Sequence, residues 1–221
     1  MAAANLERAR FNMVHQQVRP WEVIDPRTIE VLETLPREAF VPEGLEGAAY
    51  ADTEIPIGEG QFMMAPKIEG RLLQALDVQP GEQVLEIGTG SGYLSACLAR
   101  MGGRVTSLEI DGQLCEQARG RLQALGISGV DVQCGDGLAH QAPATYDAIA
   151  VTGSLPLMSE GLKAMLKVGG RMFVVSGEGD GEAMLASLIT RVGEEAWRDE
   201  ALFETALTPL RNAPRAERFK F

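Results

Sequence analysis

Residues 84–93 read Val84-Leu85-Glu86-Ile87-Gly88-Thr89-Gly90-Ser91-Gly92-Tyr93. A short apolar run ends in an acid and breaks into three alternate glycines. It then resumes as Leu94-Ser95-Ala96-Cys97-Leu98-Ala99 with helical spacing. The order is strand, tight loop, helix start. Glycine serves where the backbone takes positive φ or lies close to a ligand, and the free N–H groups of a helix start face the same space. The unit predicts a nucleotide-like cofactor and restricts the fold to an α/β sheet.

The flanking pattern agrees. Strands are expected at Gln83–Ile87, Arg104–Glu109, Val130–Cys134, Tyr146–Val151 and Arg171–Ser176, with helices to Met101, over Asp111–Leu125 and near Met158–Leu166. Such alternation implies a parallel sheet covered by helices, wound by right-handed crossovers. The near-continuous apolar runs Ala148-Ile149-Ala150-Val151 and Met172-Phe173-Val174-Val175 suit strands buried on both faces. Upstream, residues 5–18 read as a helix. Asp25-Pro26 reads as an N-cap with proline in the first turn, and Pro66–Val78 as an amphipathic helix. Residues 36–60 hold three prolines and four glycines and are expected to be mostly loop. Met184–Val192 and Ala196–Phe203 fit either a hairpin or two short helices.

With 221 residues, 45% of them hydrophobic, the chain can bury a core without staples. Cys97, Cys115 and Cys134 are odd in number and lack CxxC spacing, so no disulfide and a reducing cytoplasm are expected. The first residues lack the basic and apolar regions of a secretory leader, and no run reaches the length of a membrane span. The net charge of −11 argues against a nucleic-acid partner. The Lys/Arg cluster from Arg211 to Lys220 is short, broken by Glu217, and expected to be a solvated C-terminus. His15 and His140 are isolated, so no metal site is expected. Neither accompanies a nucleophile motif.

The loop is GxGxG, without the sixth-place glycine of a dinucleotide site. Glu109 lies 21 positions after Gly88, at the end of the second strand, where a carboxylate can accept both ribose hydroxyls. Glu86, just before the loop, suits an ammonium-bearing ligand. Asp136 of Gly135-Asp136-Gly137 follows the third strand and can receive an adenine amine. Three acids at the carboxyl ends of three strands favour S-adenosylmethionine over NAD.

Those residues bring the chain close to the protein-L-isoaspartate O-methyltransferases. Residues 84–93 resemble that family's first motif. Pro36-Arg37-Glu38-Ala39-Phe40-Val41-Pro42 with Ala49-Tyr50 resembles its more particular N-terminal segment. Gly135-Asp136-Gly137, residues 146–152 and residues 166–171 are similar to its later motifs. The resemblance implies a class I methyltransferase fold, Rossmann-like: a doubly wound, seven-stranded, mostly parallel sheet in three layers, its last two strands an antiparallel hairpin. It implies an N-terminal helical extension over residues 1–65, covering the active site of a methyltransferase domain over 66–221. S-adenosylmethionine is the implied donor, and isoaspartyl residues of damaged proteins or peptides are the implied acceptors. A cytoplasmic monomer or weak dimer is expected.

The implied cofactor residues are Glu86, Gly88, Thr89, Gly90, Ser91, Gly92, Glu109, Ile110, Asp136, Gly137 and Thr152. Gln61, Phe62 and Met64 occupy the acceptor segment. There the family typically reads Gly-Gln-Thr-Ile-Ser-x-Pro, and this chain reads Gly60-Gln61-Phe62-Met63-Met64-Ala65-Pro66. Met64 stands where the family serine helps hold the acceptor carboxylate, and a thioether offers only a weak acceptor. Gly153-Ser154-Leu155-Pro156 also departs from the family's alanines. The alternatives are a different acceptor on the same fold, a binding protein without catalysis, and an NAD oxidoreductase.

Overall fold

The computed structural model describes residues 2–177 and 183–215. The chain begins with α1 (Ala2–Asn12), a π-helical segment (Met13–Val18) and α2 (Pro26–Thr34). The expected helix over 5–18 is therefore α-helical only in its first part. The wider turn carries the buried Met13, Val14 and Val18, and Val18 packs so closely on Gly70 that a Cβ there would lie 2.8 Å from its Cγ1. The Asp25 carboxylate caps α2 by accepting the Thr28 N–H, and Pro26 occupies the first turn, as expected.

Residues 36–60 are not all loop. Ile55–Gly58 (β1) pairs antiparallel with Gln61–Met63 (β2). The breakers that obscured this hairpin are compatible with it. Pro56 stands in a two-stranded ribbon with no flanking ladder to interrupt, while Gly58, Glu59 and Gly60, at φ of 102°, 53° and 68°, form the reversal.

Then follow α3 (Pro66–Leu76), β3 (Gln83–Ile87), α4 (Tyr93–Arg100), β4 (Arg104–Glu109), α5 (Gly112–Ala124), β5 (Val130–Cys134), β6 (Tyr146–Leu155), α6 (Glu160–Met165), β7 (Leu166–Ser176), β8 (Met184–Gly193) and β9 (Ala196–Thr205). Among the described residues, seven of the nine strands form one sheet in the order β5-β4-β3-β6-β7-β8-β9. β5, β4, β3, β6 and β7 are mutually parallel, and β8 runs against both β7 and β9. The ambiguous tail is thus a hairpin, as the resemblance implies. The class I Rossmann-like sheet is present.

Alternation along the strands divides the core. Val84, Ala148, Ala150, Phe173 and Val175 join one apolar cluster; Leu85, Ile149, Val151, Met172 and Val174 join the other. Successive side chains of a strand point to opposite faces, so both faces are covered. The first cluster also takes in Met13, Leu32, Phe40, Tyr50 and Met64 from the N-terminal residues.

Two expectations are corrected. Cys115 on α5 and Cys134 at the end of β5 form a disulfide. The two elements pack together, and their Cα atoms lie 5.7 Å apart, within the span a bridge requires; sequence spacing could not reveal that. The C-terminal segment is also not a free solvated tail through its described part. Residues 207–213 return to β6 and cross the carboxyl edge of the sheet. Its remainder, residues 216–221, lies outside the described residues. No helix among the described residues is long and apolar enough to cross a membrane.

Candidate cofactor and acceptor site

The glycine loop turns over the carboxyl end of β3. Gly88, Gly90 and Gly92 all have positive φ, at 95°, 54° and 88°. Gly88 has a second reason to be glycine: a Cβ there would lie 2.4 Å from Thr152 Oγ1. The Thr152 hydroxyl reaches Ile87 O and Gly88 O, at 2.8 and 2.6 Å, and ties β6 to the loop.

Three cavities meet at Gly88. One holds Ile57, Gln61, Phe62, Met64, Gly90, Glu109, Thr152 and Gly153. A second adds Glu69, Glu86, Thr89, Ser91 and Leu94. The third holds Glu109, Ile110, Asp136, Gly137, Leu138, Leu210 and Arg211. The structure thus brings together every expected cofactor and acceptor residue but one. Gly92 borders none of these cavities; a Cβ there would face Ala118 of α5 at 3.3 Å, so its place is in helix packing.

The acids differ in state. Glu86 is fully buried. Its Oε2 accepts the Ser95 and Ser107 hydroxyls, while Oε1 has no hydrogen-bond partner. Burial pushes its carboxyl up to about 8, against the pull of the two serines. Glu109 accepts the Gly90 N–H at 2.8 Å and the Asp111 N–H at 2.9 Å, one on each oxygen. Asp136 accepts the Leu138 N–H and the Asn212 amide, both at 2.9 Å. A carboxylate oxygen has two lone pairs, so both acids keep capacity for a ligand. An unpartnered buried oxygen on Glu86 suits an ammonium, and spare acceptors on Glu109 and Asp136 suit hydroxyls and an amine. The residues fit S-adenosylmethionine.

The acceptor side sets apolar side chains beside polar ones. Met64 is buried, and Phe62 borders the cavity with its side chain partly in solvent. Among the described residues the Gln61 side chain reaches only Glu59 O, at 3.5 Å. Glu54 also lines this side, and burial raises its carboxyl above the usual range. Sequence reasoning did not single out the brace beneath. Arg37, fully buried, donates to Ala49 O at 2.8 Å and Met64 O at 2.6 Å, and pairs with Glu69. Its guanidinium lies 4.8 Å from the Tyr93 ring centroid. Burial pushes the Glu69 carboxyl up to about 7, against the pull of Arg37. Residues 207–213 were missed as well, because no spacing rule links them to the glycine loop.

Comparison with known proteins shows the family. Residues 9–212 match the family model for protein-L-isoaspartate(D-aspartate) O-methyltransferase. The chain is 40% identical over 209 residues to protein-L-isoaspartate O-methyltransferase 1 of Rhodopseudomonas palustris, covering 94% of this chain and 85% of that one. It is 40% identical over 205 residues to the Magnetococcus marinus protein-L-isoaspartate O-methyltransferase, covering 92% and 89%. A Plasmodium falciparum homologue solved with S-adenosyl-L-homocysteine shares the fold, with a TM-score of 0.78 at 20% identity over 93% of this chain and 98% of that one. From its first glycine motif to the segment that crosses the sheet edge, the chain belongs to the protein-L-isoaspartate(D-aspartate) O-methyltransferase family.

Proposed function

We propose that the protein transfers the methyl group of S-adenosylmethionine to the carboxylate of isoaspartyl residues in proteins and peptides. The observation that carries this is the meeting of the cavities at Gly88. The acceptor segment with Gln61, Phe62 and Met64 lies to one side, and Glu86, Glu109 and Asp136 to the others. We assign Glu86 to the ammonium, Glu109 to the ribose and Asp136 to the adenine amine. Residues 1–65 act as an extension that walls the acceptor side of the domain over 66–221, through Ile57, Phe62 and Met64.

S-adenosylmethionine supplies a methyl group on an already activated sulfonium. An isoaspartyl carboxylate is ionised at pH 7, so the protein needs no strong base. Its task is placement and exclusion of water. Arg37 fixes Met64 through the backbone carbonyl, and the buried Met64 side chain dries that wall. The Thr152 hydroxyl is spent on backbone carbonyls, so neither Met64 nor Thr152 supplies a hydroxyl to the acceptor. One missing hydrogen bond to a carboxylate costs about 1–3 kcal/mol, roughly ten- to a hundredfold in rate. Phe62, Met64 and Glu54 together favour a second reading, a less anionic acceptor on the same fold.

Labelled S-adenosylmethionine, offered with an isoaspartyl peptide and the matching aspartyl peptide, separates the two. Alkali-labile label on the isoaspartyl peptide alone supports the proposal. Cofactor binding without transfer to either peptide sinks it in favour of the second reading. The cytoplasmic setting is likewise a proposal, and the Cys115–Cys134 disulfide weighs against it. Alkylation of thiols in freshly lysed cells tests it: reduced cysteines fit a cytoplasmic enzyme, and a protected pair does not.

A further inference from the structure

The segment after β9 is fastened to the site at successive points. Ser154 N–H donates to Thr208 O, and Leu210 N–H donates to Ser154 O, both at 3.0 Å. The Ser154 hydroxyl donates to Leu207 O at 2.9 Å. Leu210 occupies the space a side chain at Gly153 would need: a Cβ there would lie 2.8 Å from Leu210 Cδ2. Arg211 pairs with Asp111 at 3.0 Å and donates to Glu59 O at 3.1 Å, joining the β1–β2 turn to the start of α5. Asn212 then adopts φ 63°, which asparagine tolerates better than most residues. Ala213 N–H closes the turn on Leu210 O at 3.2 Å. The turn places Asn212 Nδ2 2.9 Å from Asp136 Oδ2.

We propose that Asn212 is a specificity-determining residue for the cofactor: with Asp136 it forms an amide–carboxylate edge that reads adenine. This rests on Asp136 receiving the adenine amine. Leu138 N–H occupies one lone pair on Oδ1 of Asp136, and Asn212 occupies one on Oδ2. Each oxygen keeps another. Among the described residues the Asp136 contact is Asn212's only side-chain hydrogen bond, and the Nδ2 group has a second N–H. The pair therefore presents an acceptor beside a donor. Adenine presents an exocyclic N–H donor beside a ring-nitrogen acceptor. Hypoxanthine carries a carbonyl in place of the amine, which would face the Asp136 carboxylate with no proton between them. Asn212 is exposed and Asp136 half-buried in the protein alone; a base seated on them covers both, and the inverse edge would then leave the covered polar groups unpaired.

Calorimetric titration with S-adenosylhomocysteine and S-inosylhomocysteine tests this on the wild type, Asn212→Gly and Asn212→Asp. Glycine keeps the positive φ and removes the amide; aspartate keeps the shape and replaces the donor with an acceptor. Both variants should bind S-adenosylhomocysteine about tenfold or more weakly, with the inosyl compound changed much less, so that discrimination falls. An equal loss for both compounds would mean a merely structural turn and would overturn the proposal. Unchanged discrimination would assign the reading to backbone groups and do the same. Tighter binding by Asn212→Gly would show that the amide competes with adenine, again overturning it. Failure of the wild type to bind S-adenosylhomocysteine at all would instead overturn the cofactor reading, and this proposal with it.

Discussion

Glu86 shows how one residue can be legible in position and illegible in state. Its place before the glycine loop marks it as a cofactor acid. Its protonation follows from complete burial, which a sequence does not display. A carboxyl near 8 when folded and near 4.3 when unfolded binds protons more tightly in the native state, so its contribution to stability falls as pH rises from about 4 to about 8. Glu69, pushed up to about 7, acts in the same direction. Glu86→Gln should therefore melt at a higher temperature than the wild type above pH 8, and the gap should narrow toward pH 5. An ammonium ligand requires the ionised form. Affinity for S-adenosylhomocysteine should climb between pH 6 and 8 and level off above, with proton release visible in buffers of different ionisation enthalpy. A flat profile would contradict the role of Glu86. On the acceptor side, Phe62 and Met64 could be seen to depart from the family, and the structure adds that the Thr152 hydroxyl, held by Ile87 O and Gly88 O, is not free to replace the lost one. Phe62→Thr with Met64→Ser should raise isoaspartyl methylation about ten- to a hundredfold; an unchanged rate would place the divergence outside the rate-limiting contacts.

At the scale of elements, the regular strands and helices were readable because period and caps agreed. The β1–β2 hairpin was not, since a proline and two glycines signal loop unless the ribbon is known to be isolated. The pairing of Cys115 with Cys134 was hidden for another reason: it depends on α5 lying against β5. Closing a loop of 19 residues stabilises by about 3 kcal/mol in the chain-entropy account. Cys134→Ser should lose roughly that much in denaturant titration, and added reductant should destabilise the wild type while leaving the variant unchanged. Arg37 joins three separate stretches of chain through Ala49, Met64 and Glu69. Arg37→Met leaves a buried acid without its cation and should cost about 3–5 kcal/mol. Arg37→Met with Glu69→Met should recover much of that loss; a double variant as unstable as the single would show that the carbonyl contacts carry the brace.

For the whole molecule, the decisive fact is where the sheet reverses its order. From β3 the chain proceeds outward through β4 and β5, then returns to place β6 on the other side of β3. Open α/β sheets bind ligands in the crevice at that point, and there the glycine loop, Glu109, Asp136 and Thr152 gather. Strand alternation made this much legible in the sequence. The last two strands were settled only by resemblance, because Met184–Ile189 leans helical by propensity, a lean that pairing with β7 and β9 overrides. The crossing segment was not legible at all: Leu210, Arg211 and Asn212 meet the site through partners 56 to 152 residues away. Crystals soaked with S-adenosylhomocysteine test the central claim most directly. Density should place the ribose on Glu109, the adenine on Asp136 and the amino group toward Glu86. Ligand bound elsewhere, with these acids holding only protein groups, would contradict it.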